Sequence, residues 1–148
     1  MQVTSLVPRE EEWIEVIDLS PSGQKALVRS RHNGHLYVFD VISFQTESLD
    51  LAQWAWGKWL DEQHLIVGEN YALQGARWTY NTFWLYDVQR RERTQLLGAD
   101  ITLALAGREF THMSLSPDYR WLAFIAGQDL VNSLGEGELW VARMDANN

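Results

Sequence analysis

The chain carries a short apolar run that ends in a tight turn, Val16-Ile17-Asp18-Leu19-Ser20-Pro21-Ser22-Gly23, and repeats it as His112-Met113-Ser114-Leu115-Ser116-Pro117-Asp118-Tyr119. An aromatic-rich strand pattern follows each turn, as Leu36-Tyr37-Val38-Phe39-Asp40-Val41 and Leu139-Trp140-Val141-Ala142-Arg143-Met144. A third copy of that strand pattern stands at Phe83-Trp84-Leu85-Tyr86-Asp87-Val88. Repetition of paired segments at this spacing is typical of stacked supersecondary units. The sequence therefore predicts blades of a β-propeller.

The repeat predicts an all-β chain that forms one domain over residues 1–148, with three four-stranded propeller blades. The approximate blades are 13–51, 52–97 and 108–148, and the fourth strand of the last blade would need residues beyond Asn148. Pro21 pre-sets φ in the first turn, and Asn33-Gly34 suits a type I′ hairpin turn. The middle strands are apolar on both faces, which is expected where every sheet packs against two neighbours.

Composition and charge exclude several classes of function. Hydrophobic residues make up 46% of the 148 residues, and the eight Trp, five Tyr and five Phe fall mostly in strand-like runs, where they suit sheet packing. The net charge of −8 repels phosphate backbones, so nucleic acid is not expected as a partner. The chain has no cysteine, which excludes disulfides and thiolate metal sites.

The sequence also shows no targeting pattern. Residues 1–12 have no basic region followed by an apolar stretch, and no window approaches ~18 consecutive apolar residues. We therefore expect no membrane insertion and a cytoplasmic location, or a periplasmic one if the chain was trimmed.

No catalytic or metal-binding motif is apparent in the sequence. His32 and His35 flank a turn, but no third ligand stands near them at a useful spacing. The chain contains no Gly-x-Ser-x-Gly nucleophile motif, and Gly135-Glu136-Gly137 has an acidic centre that disfavours phosphate. We therefore expect no enzymatic activity, no metal and no cofactor.

The units resemble the WD40-like (PD40) repeat of the TolB-like propellers and of the prolyl oligopeptidase and dipeptidyl peptidase propellers. The hallmark of that repeat is a Ser-Pro-Asp-Gly turn, an apolar strand and then a strand of the type Leu-Trp-Val-Met-Asp. Ser20–Gly23 and Ser116–Tyr119 each match three of the four turn positions, whereas Lys58-Trp59-Leu60-Asp61 lacks the Ser-Pro pair. The resemblance covers about Trp13 to Asp145 and implies a propeller, a fold that serves many functions.

Three blades leave a propeller incomplete, because closed propellers have ~4–8 blades. Three alternatives remain open on the sequence. The chain is part of a longer propeller, or it pairs with itself as a homodimer to reach the six blades that the resemblance implies, or its terminal strands cap an open array.

Two insertions, Gly68–Thr82 and Gly127–Gly137, carry aromatic, Arg and apolar residues outside the strand pattern. Such residues anchor protein interfaces, although they also suit loops that fold over their own blades. We expect a non-catalytic binding or scaffold module for a protein or peptide, with binding residues Tyr71, Arg77, Trp78, Tyr80 and Leu130. The alternative that the resemblance raises is the lid propeller of a serine peptidase whose catalytic domain lies elsewhere.

Overall fold

The structure, a computed structural model, describes residues 14–69, 72–74, 77–79, 82–96, 108–127 and 137–144, with only the backbone for 72–74, 77–79 and 109. All thirteen regular elements in these ranges are β-strands. They are β1 (Ile14–Leu19), β2 (Lys25–Ser30), β3 (Leu36–Asp40), β4 (Thr46–Ser48), β5 (Trp56–Trp59), β6 (His64–Glu69), β7 (Ala72–Gln74), β8 (Arg77–Thr79), β9 (Thr82–Asp87), β10 (Glu92–Gln95), β11 (Glu109–Leu115), β12 (Trp121–Gly127) and β13 (Glu138–Arg143). In this part of the chain no helix is long and apolar enough to cross a membrane.

The strands form three antiparallel blade sheets and one small hairpin. Blade 1 has the order β1-β2-β3-β4, and blade 2 has the order β5-β6-β9-β10. Blade 3 has the order β11-β12-β13, and β7 pairs with β8 in a separate two-stranded sheet. The predicted all-β architecture of propeller blades is confirmed. The first two blades have four strands each and the last has three in the described residues; its fourth strand was expected only from residues beyond Asn148.

The repeated Ser residues position the turn between the first two strands of blades 1 and 3. The Ser20 hydroxyl accepts the Lys25 amide at 3.2 Å, and the Ser116 hydroxyl accepts the Trp121 amide at 2.9 Å. The last turn position has positive φ in both cases, 73° at Gly23 and 59° at Tyr119. The hydroxyl thus replaces a backbone acceptor, which is the usual reason for Ser in such turns.

The aspartate at the end of the third strand has the same role in blades 1 and 2. Asp40 Oδ1 accepts the Ile42 and Ser43 amides, both at 2.8 Å. Asp87 Oδ1 accepts the Gln89 and Arg90 amides, both at 2.9 Å. Each carboxylate therefore closes the turn that leads to the outer strand.

The hairpin between β2 and β3 differs from the predicted type I′ turn. Gly34 has a φ of +73°, but Asn33 is not among the positive-φ residues, whereas a type I′ turn needs positive φ at both central positions. The loop is longer than two residues, because the Gly34 amide donates to Ser30 O and the Ser30 amide donates to His35 O. Asn33 instead uses its side chain, whose Oδ1 accepts the His35 amide at 3.0 Å.

Two apolar cores lie between successive blades. In blades 2 and 3 we call the face that lies toward the preceding blade the front face, and the opposite one the back face. In blade 1 the back face is the one that packs on blade 2, and the front face is the opposite one. The core between blades 1 and 2 joins Leu27, Leu36 and Val38 to Leu65, Val67 and Tyr86. The core between blades 2 and 3 joins Ile66, Phe83 and Leu85 to Leu122, Phe124 and Ala142. Adjacent residues of one strand, such as Leu65 and Ile66, therefore enter different cores, which explains why the middle strands are apolar on both faces.

Candidate functional site

A shared groove lies between the first strands of the three blades, which are β1, β5 and β11. We call the end of each blade at which its first strand begins the upper end. Ile14 pairs with Ser30, Trp56 with Gly68, and Glu109 with Gly127, so the connection after each second strand also leaves from the upper end. The groove and the ends of the second strands, from which both insertions leave, consequently lie at one end of the molecule.

The groove has a volume of about 410 Å³ and is lined by Glu15, Val16, Ile17, Arg29, Trp56, Thr111, His112 and Met113. A second cavity of about 170 Å³ adjoins it and is lined by Ile17, Asp18, Trp56, Gly57, Lys58, Met113 and Ser114. Ile17, Trp56 and Met113 line both, so the two cavities form one surface that crosses the three inner strands. We call this surface the upper groove.

Matching β-bulges shape the groove in the first and third blades. The register shifts between Val16 and Asp18 in β1, and between Thr111 and Ser114 in β11. His112, within the second bulge, has a φ of 53°. A bulge bends its strand and redirects the side chains beside it. Ile17 and Met113, at equivalent bulge positions, each pack against an inter-blade core while lining the groove.

One side of the upper groove carries a charged cluster. Glu15 Oε2 lies 3.8 Å from Arg29 Nη1 and 3.9 Å from Arg31 Nε. Arg29 also donates from Nη2 to the Ala55 carbonyl at 2.6 Å, and its side chain is only 14% exposed. Arg29 therefore ties blade 1 to the segment before β5, whereas the more exposed Glu15 and Arg31 are available to a ligand.

A second ion pair, closer to the lower end than the Glu15 cluster, holds β1 against β5. Asp18 Oδ2 accepts the Trp59 amide at 2.9 Å, and Lys58 Nζ lies 3.8 Å from Asp18 Oδ1. The hydrogen bond crosses from one blade to the next and sets the spacing of the two inner strands. The groove thus combines charges of both signs with an indole and apolar side chains, a combination suited to a polypeptide ligand.

The predicted binding residues fall largely outside the described part of the structure. Tyr71, Tyr80 and Leu130 lie outside the described residues. Arg77 and Trp78 lie in β8, which is described as backbone only. The insertion expected between Gly68 and Thr82 is shorter than predicted, because Gly68 and Glu69 extend β6 and Thr82 begins β9. Within it, β7 and β8 form a hairpin, and β8 lies against β11 of the next blade.

The upper groove is not predicted by the sequence patterns. Glu15 and His112 are the available signals, because each is a polar residue in the first strand of a repeat, where a purely structural strand would be apolar. Their convergence depends on the stacking of blades and on the two bulges, and neither leaves a local pattern. His64, in contrast, is held by a carboxylate, since its Nδ1 lies 2.9 Å from Asp61 Oδ2.

Comparison with known proteins supports the fold at the level of structure. No family model matches the sequence, and no curated protein sequence matches it. Among solved structures, the chain is similar to TolB from Acinetobacter baumannii, with a TM-score of 0.57 and 13% sequence identity over 91% of this chain. The match covers 31% of that TolB chain, so this chain spans about a third of its length.

An identity this low shows shared fold and nothing further. The prediction of a TolB-like propeller fold is confirmed. The finer assignment of the units to the PD40 repeat stays a prediction.

Proposed function

We propose that the chain is a non-catalytic binding or scaffold module whose upper end engages a protein or peptide. The observation that supports this most is the convergence of β1, β5 and β11 on the upper groove, beside the hairpin inserted in blade 2. The inner strands form a rigid scaffold, and the inserted hairpin projects from the same end of the molecule. Proteins commonly place binding residues on segments that a rigid scaffold positions in this way.

The chemistry of the groove favours a polypeptide over a small molecule. Glu15 and Arg31 present opposite charges at the surface, with side chains 40% and 60% exposed. Trp56, Ile17 and Met113 supply an apolar floor between the strands. A partner segment with both charged and apolar side chains would complement this surface.

The residues that we propose for direct contact extend from the groove onto the two insertions. They are Tyr71, Arg77, Trp78, Tyr80 and Leu130, together with Glu15 and Arg31. Tyr, Trp and Arg are the residue types enriched at binding hot spots.

The test begins with a peptide. A displayed random-peptide library is selected on the immobilised chain, and the affinity of a selected peptide is measured by isothermal titration calorimetry. Trp78→Ala and Arg31→Ala should each weaken binding ~10-fold or more, as expected for interface anchors. The melting temperature of each variant should change little.

Ile42→Ala is the matched control, because Ile42 is 67% exposed and lies in the β3–β4 turn at the opposite end of blade 1. It should leave the affinity within about twofold, since exposed residues outside an interface contribute little. Selected peptides that bind both upper-end variants as tightly as the unmodified chain would refute the proposal.

A further inference from the structure

The back face of blade 3 exposes apolar side chains that the repeat buries elsewhere. Leu139 is 69% exposed and Val141 is 58% exposed, and Trp121 on the same face is 43% exposed. The register places all three on one face, because Leu139 pairs with Ile125, Val141 with Ala123, and Trp121 with Arg143. Contiguous exposed apolar side chains on a folded chain usually mark an interface.

The equivalent positions in blades 1 and 2 show what covers such a face. By register, Leu139 corresponds to Leu36 and Phe83, and Val141 corresponds to Val38 and Leu85. Leu36 is fully buried against the front face of blade 2, and Phe83 is 8% exposed against the front face of blade 3. In both cases the covering surface is the front face of another blade.

The front face of blade 1 carries exposed apolar side chains along its first strand. Three apolar side chains of β1 lie on it, Ile14 at 47%, Val16 at 62% and Leu19 at 54% exposure. Their register partners Ser30, Val28 and Ala26 share that face but are buried, and Ala26 and Val28 form a small apolar cluster with Phe39 beside the exposed β1 side chains. Phe110, which corresponds to Ile14 in blade 3, is 4% exposed because blade 2 covers it.

We propose that two copies of this chain associate head to tail, with the back face of blade 3 of each copy packed on the front face of blade 1 of the other. The two contacts continue the stacking already present between blades 1 and 2 and between blades 2 and 3. Contacts between unlike surfaces close into a ring when the rotation per copy allows it. Closed propellers have ~4–8 blades, and two is the only number of three-blade copies that falls in this range.

Of the residues named for this association only Val16 lines the upper groove, and none is among those proposed for peptide contact, so the association does not depend on the proposed binding function. The first measurement is the mass of the chain in solution, by light scattering after gel filtration at several concentrations. The expected result is twice the 17.1 kDa chain mass. A mass of one chain throughout would overturn the proposal, as would a larger closed or open assembly.

Two charged variants then test which faces meet. Leu139→Glu alters the back face of blade 3, and Val16→Lys alters the front face of blade 1. Val16 corresponds by register to Gly57 of blade 2, beside which Leu36, the counterpart of Leu139, packs. Each variant alone should be a monomer, because each places an unpaired charge in both contacts. Ile42→Glu is the matched control, as exposed as Leu139 but in a turn at the lower end, and it should remain a dimer.

Mixing the two variants separates head-to-tail packing from symmetric packing of one face on itself. The mixed dimer contains one unaltered contact and one contact in which the introduced carboxylate faces the introduced ammonium group, so mixing should restore the dimer mass. A self-paired back face would instead leave Val16→Lys dimeric and give no rescue, and either result would overturn the proposal. Circular dichroism of each variant establishes that its β-structure is intact, and the mass of the unmodified chain decides the matter if a variant does not fold.

Discussion

At the scale of single residues, Gly34 occupies a position that no other residue type fits without cost. Its φ of +73° is disfavoured for residues with a Cβ, and a Cβ there would lie 2.6 Å from Trp54 Cδ2 and Cε2. The Trp54 amide also donates to the Gly34 carbonyl at 2.8 Å, which holds the indole against the hairpin. Gly34 thus links the β2–β3 hairpin to the segment that leads into blade 2.

Gly23 makes a matched comparison possible, because it has the same φ of +73° but a Cβ added there would meet nothing within 4 Å. We expect Gly23→Ala to lower the free energy of unfolding by about 1 kcal/mol, the cost of a left-handed conformation. Gly34→Ala should cost at least about twice as much, because overpacking against Trp54 adds to that strain. Urea denaturation of both variants measures the difference, and equal losses would show that Trp54 moves aside freely.

At the scale of elements, the turns that end the third strands depend on an ionised aspartate. The pKa of Asp87 is lowered mainly by the hydrogen bond that its carboxylate accepts from the Arg90 amide. Burial acts in the opposite direction and raises the pKa, whereas hydrogen bonds from the Gln63 side chain and the Gln89 amide lower it further. The Ser43 and Ile42 amides lower the pKa of Asp40 in the same way. The pKa of each aspartate is therefore lower in the folded chain than in the unfolded chain. Each ionised aspartate stabilises the fold at a pH above its unfolded-state pKa, and this stabilisation is lost as the pH falls through its folded-state pKa.

Asp87→Asn and Asp40→Asn keep an oxygen that accepts the turn amides but remove the charge. Each variant should therefore melt at a lower temperature than the unmodified chain at pH 7. The difference should shrink below a pH of about 4, where the aspartates of the unmodified chain become protonated. Melting curves between pH 2 and 7 check this, and variants whose melting temperature falls as steeply with acid as that of the unmodified chain would contradict it.

The strands could be predicted well because each depends on a local pattern. The strand pattern Leu36–Val41 agrees with β3, and the pattern Phe83–Val88 agrees with β9, to within one residue at each end. The prediction of a type I′ turn at Asn33-Gly34 was wrong, because Asn33 lacks the positive φ that this turn needs and instead accepts the His35 amide with its side chain. The upper groove could not be predicted because it forms only when β1, β5 and β11 stack, and stacking is a long-range property.

At the scale of the whole molecule, the blades are not equivalent. Blade 2 is covered on both sides, and Leu65, Ile66 and Val67 of β6 are fully buried. Blades 1 and 3 each have one covered face and one that exposes apolar residues. Stacked repeats gain much of their stability from contacts with neighbours, so the outer blades are the places where association adds most.

This asymmetry predicts how heat stability depends on protein concentration. If two copies close a ring, the folded dimer and unfolded monomers are linked by mass action, and the melting temperature should rise by about 4 °C for a hundredfold increase in concentration. Leu139→Glu should abolish that rise, whereas Ile42→Glu should keep it, because only the first alters a face that the second copy covers. Scanning fluorimetry and calorimetry together span that concentration range. A melting temperature independent of concentration in the unmodified chain would mean that the outer blades are stable without a second copy, and their exposed apolar faces would then need another explanation.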